Sequence, residues 1–285
     1  MKKIAVTSDS TCALSLDKAK EIGLKILPLN VIVDGVEYHD GIDIDNDKLA
    51  DMMKRNCSIK TSTPTPYEIE TFFNEIFEEG YDEIIHFTIS SKLSSMFDLF
   101  TNTCKEKYGD KVKVIDSKSI CVYMLNHVLT AFELAKQGMD SDTIVKEIEK
   151  RISTENVYFI PESLTYLKRG GRISPAVALI GNLIGMKPIL RFVNGGIEKD
   201  STTRNVKKSI DDYVSKVKSL NLDPNIYEIG IVLFDTKENI VSFAQETIKR
   251  ELPEFNVTTS PLSINVCAHT GPGTIGIGTH HRILK

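Results

Sequence analysis

The chain is 285 residues long and lacks most of the features that assign a function at sight. It has no run of about 18 apolar residues, so no segment is expected to span a membrane. The N-terminus, Met1-Lys2-Lys3-Ile4-Ala5-Val6, turns polar at Thr7-Ser8-Asp9 and has no apolar stretch of signal-peptide type. No C-x-x-C pair occurs. Cys12, Cys57, Cys104, Cys121 and Cys267 are scattered and odd in number, which fits reduced thiols and a cytoplasmic location. Positive charge is not in excess: 35 Lys plus Arg stand against 39 Asp plus Glu, a net −4 that excludes the basic footprint of a dedicated nucleic-acid binder. There is no G-x-S-x-G elbow, no G-x-x-x-x-G-K-[ST] loop, no internal repeat and no low-complexity linker. His280-His281 are adjacent and lack helical metal spacing, and the end of the chain around them is expected to fray. His39, His86 and His127 are isolated, so no metal site is expected.

What remains is an ordinary globular balance, 41% hydrophobic and 26% charged, enough to bury a sizeable core. The first half alternates apolar runs with helical patterns. Strands are expected over 3–7, 26–33, 83–89 and 111–115, and helices over 15–22, from 66 to Gly80, over 119–137 and over 141–151. Thr65-Pro66-Tyr67-Glu68 has the form of a capping box with proline at the first helical position. This βαβα rhythm predicts a mostly parallel α/β domain over 1–152. A smaller α/β domain over 153–285 is expected to carry a mixed or antiparallel sheet. Strands at 156–161, 187–193 and 197–202, the last two joined at Asn194-Gly195-Gly196, begin it, and strands at 229–234 and 256–260 complete it. A helix is also expected over 174–184.

Several stretches allow both a chemical and a purely structural reading. Gly271-Pro272-Gly273-Thr274-Ile275-Gly276 matches G-x-G-x-x-G literally. A dinucleotide site needs a strand before it, a helix after it and an acid about 20 residues on. Nine residues follow Gly276, so that reading is set aside. A flexible turn or an anion-binding loop with His269 beside it both remain open. Thr61-Ser62-Thr63-Pro64 precedes a helix start, where hydroxyls either cap or bind an anion. Ser90-Ser91-Lys92-Leu93-Ser94-Ser95 follows a strand, the usual side for ligands in a parallel sheet. Ser8-Asp9-Ser10-Thr11 and Asp116-Ser117 read as helix caps. Lys168-Arg169-Gly170-Gly171-Arg172 reads as a helix end rich in cations. Arg204, expected to open a helix after Ser201-Thr202-Thr203, gains nothing from the helix dipole there.

The ordered set of these stretches resembles the DegV family of fatty-acid-binding proteins. Val6-Thr7-Ser8-Asp9-Ser10-Thr11 is similar to its opening signature, and Thr61-Ser62-Thr63-Pro64-Thr65-Pro66 to its T-S-x-P-S/T-P loop. Ile89 to Ser94 resembles its strand-end serine motif, and Val114-Ile115-Asp116-Ser117 its V-I-D-S motif. Ser163 to Ile173, Lys187-Pro188-Ile189-Leu190 and His269-Thr270-Gly271-Pro272-Gly273 continue the match, which runs from residue 4 to residue 278. The sequence departs from the pattern at Ser95-Met96-Phe97 and at Cys121-Val122-Tyr123-Met124, which bears on the shape of any ligand tunnel.

The resemblance implies a cytoplasmic, non-catalytic lipid-binding protein with no metal and no cofactor. A long-chain fatty acid would lie in a buried tunnel, its carboxylate held by Thr61, Ser62 and Ser94 with His269 nearby. A separate ATP-dependent fatty acid kinase would phosphorylate that carboxylate for phospholipid synthesis, with Arg172 and Arg204 facing the phosphate or the partner. Transient membrane contact would accompany such a role. Sixteen carbons offer a gross burial gain of about 12 kcal/mol at ~0.8 kcal/mol per methylene, before ordering costs. A carboxylate buried without partners would offset much of it. Two alternatives stand beside this reading: an enzyme using Ser94 and His269 on a lipid ester or acyl phosphate, and a lipid-responsive regulatory module without a kinase.

Overall fold

The computed structural model describes residues 2–152, 154–174 and 186–284. Three sheets organise the described residues. The first is four-stranded and parallel, in the order β2-β1-β6-β7: β1 (Ile4–Asp9), β2 (Lys25–Leu27), β6 (Glu83–Thr88) and β7 (Val112–Asp116). Every residue of β6 and all but the first of β1 are buried, as expected for parallel strands covered on both faces. The second sheet is a small antiparallel one, β4-β3-β5: β3 (Asn30–Val33), β4 (Val36–His39) and β5 (Ile59–Ser62). The third is six-stranded and mixed, β10-β9-β8-β13-β11-β12: β8 (Asn156–Ile160), β9 (Lys187–Val193), β10 (Gly196–Thr203), β11 (Tyr227–Phe234), β12 (Val257–Pro261) and β13 (Thr274–His281).

Helix boundaries follow local chemistry. α1 (Leu16–Ile22) starts at Ser15, whose hydroxyl accepts from Lys18 N–H, and stops at Gly23 with φ 82°. α2 (Asn46–Lys54) is capped by Asp45. α3 (Pro66–Glu78) has the full capping box of Thr65 and Glu68. α4 (Met96–Tyr108), α5 (Cys121–Lys136), α6 (Ser141–Ile152) and α7 (Thr165–Arg169) follow. α8 (Val206–Ser219), α9 (Glu238–Glu251) and α10 (Ile264–Thr270) lie in the second half. α5 packs on β1 of the parallel sheet and on β11 and β13 of the mixed sheet, so it has little solvent face.

Several expectations are corrected. The run 26–33 is two strands in two sheets, because Pro28 lacks the N–H a continuous ladder needs and the chain turns there. Asp34-Gly35, with φ 50° and 85°, then forms a two-residue hairpin turn between β3 and β4. The glycine-rich stretch leads from a helix into a strand, α10 to β13, the reverse of a dinucleotide motif. His280 and His281 do not sit on a frayed end. β13 runs between β8 and β11, and His280 is wholly buried. His127 is likewise buried, its Nε2 2.7 Å from a Glu155 carboxylate oxygen. Arg204 does not open a helix, since Asn205 caps α8 and Arg204 lies in the link from β10. Asp116 is not a helix cap. It accepts N–H bonds from Ser91 and Lys118 and pins the loop after β6. The helix expected over 174–184 and the division at residue 153 fall at positions outside the described residues.

Candidate functional site

A cavity runs between the parallel sheet, the small antiparallel sheet and the mixed sheet. It spans about 970 Å³ of space between atoms, its open mouth included, and is narrow over most of that space. Its walls are mainly apolar: Leu29, Ile89, Met96 and Ile120 come from the first half, and Val157, Phe159, Leu167, Phe192, Val232 and Val266 from the second.

One end is polar. Thr61 and Ser62 reach it from β5, Ser94 from the loop after β6, His269 from α10 and Arg172 from just beyond α7. Thr61 Oγ1 lies 2.9 Å from His269 Nε2, a hydrogen bond across 208 positions of sequence. Burial, and then the nearby Arg172 guanidinium, push the His269 pKa down to about 4, so the imidazole is neutral at pH 7. Ser94 Oγ accepts from Met96 N–H at 3.3 Å as α4 begins. Arg172 donates from Nε to Leu93 O at 3.1 Å and from Nη1 to Gly170 O, tying α7 to the serine loop. Burial lowers its pKa from the usual guanidinium value. Arg172 also borders a second groove with Lys60, Arg169, Thr61 and His269, so it stands in the wall between cavity and surface.

Glycines allow this close assembly. A Cβ on Gly170 would overlap His269 Nδ1, and a Cβ on Gly271, where φ is already 78°, would overlap the Tyr166 ring. α7 and α10 thus interlock, each placing a side chain against the other's terminal glycine.

Hydroxyl, amide or phenol groups at the cavity that were not singled out as ligand contacts from sequence include Thr11, Thr63, Tyr123, Asn265, Thr270 and Thr274. Thr11 does cap-type work, donating its N–H to Asp9 Oδ1 at 2.8 Å, and still lines the cavity. Asn265, Val266, His269 and Thr270 occupy one face of α10, so a helical reading of 264–270 would have grouped them. At the two departures, Ser95, Met96 and Tyr123 face the cavity, as does Ile120 next to the second. Met124 instead packs with Val6, Phe87 and Val128 on the far side of α5. Arg204 is exposed and takes no part in the lining. Among the described residues no group of three or more His, Cys, Asp or Glu is placed to hold a metal, and no helix is long and apolar enough to cross a membrane.

Comparison with known proteins bears directly on this arrangement. The chain is 27% identical over 280 residues to a DegV domain-containing protein of Caldanaerobacter subterraneus, covering 97% of this chain and 98% of that one. A DegV domain-containing protein of Staphylococcus aureus is 29% identical over 283 residues, with 97% and 98% covered. Among solved structures, a fatty-acid-binding DegV family protein from Thermus thermophilus superposes with a TM-score of 0.89 at 26% identity, over 99% of this chain and all of that one (100%). DegV of Bacillus subtilis, a fatty acid binding protein, gives 0.87 at 26%, with 99% and 100% covered. A stearic-acid-binding protein from Eubacterium ventriosum gives 0.84 at 27%, with 99% of each chain covered. The family model described as an uncharacterised protein of the DegV family matches residues 3–282. With nearly the whole chain matched by that model and the architecture shared throughout, this protein belongs to the DegV family.

Proposed function

We propose that the protein binds a long-chain fatty acid in this cavity as a buried tunnel and presents its carboxylate to a separate ATP-dependent fatty acid kinase. The observation that carries the reading is the Thr61–His269 hydrogen bond at the polar end of an otherwise apolar, narrow cavity. An acyl chain needs such walls, and a carboxylate needs donors at one end only. Thr61, Ser62 and Ser94 supply hydroxyls, and a neutral His269 orients Thr61 without adding charge. Three neighbours of the same architecture are described as fatty-acid-binding, one of them with stearic acid, which supports the same ligand class here. In this reading 1–152 and 153–285 act as two units closing on the acid.

Arg172, in the wall beside the carboxylate, is suited to hold the phosphate formed there. Exposed Arg204 is suited to meet the partner. The competing enzymatic reading requires His269 to deprotonate Ser94. That reading is disfavoured by the bond His269 already makes, since its Nε2 pairs with Thr61 and not with Ser94. A cytoplasmic location and transient membrane contact belong to the same proposal.

Extraction and mass spectrometry of the purified protein test the binding step, with a long-chain acid at one per chain as the expected result. Unliganded protein that shows no thermal shift with added acids would remove the proposal. In a kinase-coupled assay, Arg204→Ala is expected to keep acid binding and slow phosphorylation. Equal performance in both assays would reduce Arg204 to a surface residue.

A further inference from the structure

One ring in the lining of the cavity has an unusual seat. Tyr123, on α5, lies over Gly230 of β11 and Gly278 of β13, which face each other as a cross-strand pair. A Cβ on Gly278 would stand 2.7 Å from Tyr123 Cε1 and 2.8 Å from Val157 Cγ2. On Gly230 it would stand 3.2 Å from Tyr123 Cε1 and 2.9 Å from Val122 Cγ1. Two glycines weaken a strand pair, so their presence here marks a close approach from outside the sheet. The phenol O–H donates to Gly230 O at 3.0 Å, the His280 ring meets Tyr123 edge-on at 5.5 Å, and the side chain is wholly buried. The ring is thus held on its floor, its edge and its tip.

β13 serves as a ruler for where this ring stands. Thr274 begins the strand and donates from Oγ1 to Gly271 O at 2.8 Å, at the end of the helix that carries His269. Thr274 and Gly276 line the cavity, and Gly278 lies under Tyr123. At about 3.4 Å per residue, Gly278 is about 14 Å beyond Thr274. The ring therefore stands about 14 Å along the strand from the end that adjoins the helix of His269.

We propose that Tyr123, seated on the Gly230–Gly278 pair, is the end wall that sets the greatest acyl-chain length the cavity accepts. This rests on the fatty-acid reading above and names the specificity element of that site. Up to the wall, each added methylene should tighten binding about fourfold, and past it the gain should stop or reverse.

The test is a ladder of saturated acids from about ten to about twenty carbons, read by displacement of a fluorescent acid. The wild-type protein is expected to show a break in the fourfold rise. Tyr123→Leu should move that break to longer acids, and Tyr123→Phe should leave it in place, because the phenylalanine keeps the ring and loses only the bond to Gly230. A folded Tyr123→Leu protein with an unchanged break overturns the proposal. If that variant does not fold, the wild-type ladder still decides, because an affinity that keeps rising to the longest acid overturns it as well. No binding at any length would instead remove the fatty-acid reading itself, a result distinguishable from a break that ignores Tyr123.

Discussion

The absence of a side chain at Gly170 gives His269 its position, for a Cβ there would overlap the imidazole Nδ1. This explains a glycine at the end of α7 better than helix termination does, because Gly170 has φ −75° and any residue can adopt that conformation. The ring can thereby lie against Gly170 on its Nδ1 side while Nε2 meets Thr61 of β5.

Gly170→Ala is therefore expected to fold and to bind fatty acid roughly ten- to a hundredfold more weakly, the equivalent of one hydrogen bond to a charged group at ~1.5–3 kcal/mol. Calorimetric titration beside a thermal melt separates the two effects. Unchanged affinity would show that His269 tolerates displacement.

Thr61→Val keeps the shape of the side chain and removes the hydroxyl. Its affinity for the acid should fall by about 1–3 kcal/mol, with a similar loss in Ser94→Ala. The methyl ester of the same acid should lose less with either change, since its carbonyl accepts only hydrogen bonds between neutral groups. Equal losses for acid and ester would move the carboxylate elsewhere.

Asp40 predicts a stability gain. Burial raises its pKa to about 6 from 3.8, with the Asp9 charge adding to the shift and Ser10 and Asn265 offsetting part of it. The native state thus holds this proton over a range where the unfolded chain has lost it, and stability falls as pH rises from about 4 to about 6. Asp40→Asn should be more stable than the wild type at pH 7.5 by at most about 3 kcal/mol, with the advantage fading below pH 4. Urea titrations at both pH values check it.

His86 works in the opposite direction. Its ring stacks on Phe100 at 4.3 Å, Nδ1 lies 2.8 Å from Thr7 Oγ1, and burial lowers its pKa to about 3. The unfolded chain takes up a proton below about 6.5 that the native state refuses, so stability is lost as pH falls from there toward 3. A folded His86→Phe protein should have a flatter acid limb in its pH–stability profile. An unaltered limb would assign acid sensitivity to other groups.

The parallel sheet and the ends of a few helices were legible because they depend on neighbours in sequence: Ser15 and Gly23 bound α1, and Thr65 and Glu68 start α3. The site was legible only in part. Thr61, Ser62, Ser94 and His269 could be grouped by family resemblance, whereas no spacing rule brings residues 61 and 269 together. α10 and β13 were missed because glycines punctuate that stretch and read as a turn. In β13 they remove side chains where Tyr123 approaches and where Gly276 meets Val232. Arg204 was misplaced because the strand before it runs to Thr203, through a polar run that reads as a helix start.

The separation of Thr61 from His269 also has a temporal meaning. A contact spanning 208 positions pays its loop-closure entropy before it returns any energy, so the polar end of the cavity forms late in folding. During synthesis, the apolar faces of β3 and β5 are complete long before α10 arrives to cover them. Until then the growing chain exposes the apolar walls of a half-built cavity, vulnerable to aggregation. Once α10 docks, any ligand bound by the finished cavity stabilises the whole chain by mass action. Supply of such a ligand and the lifetime of the folded protein would thereby be linked.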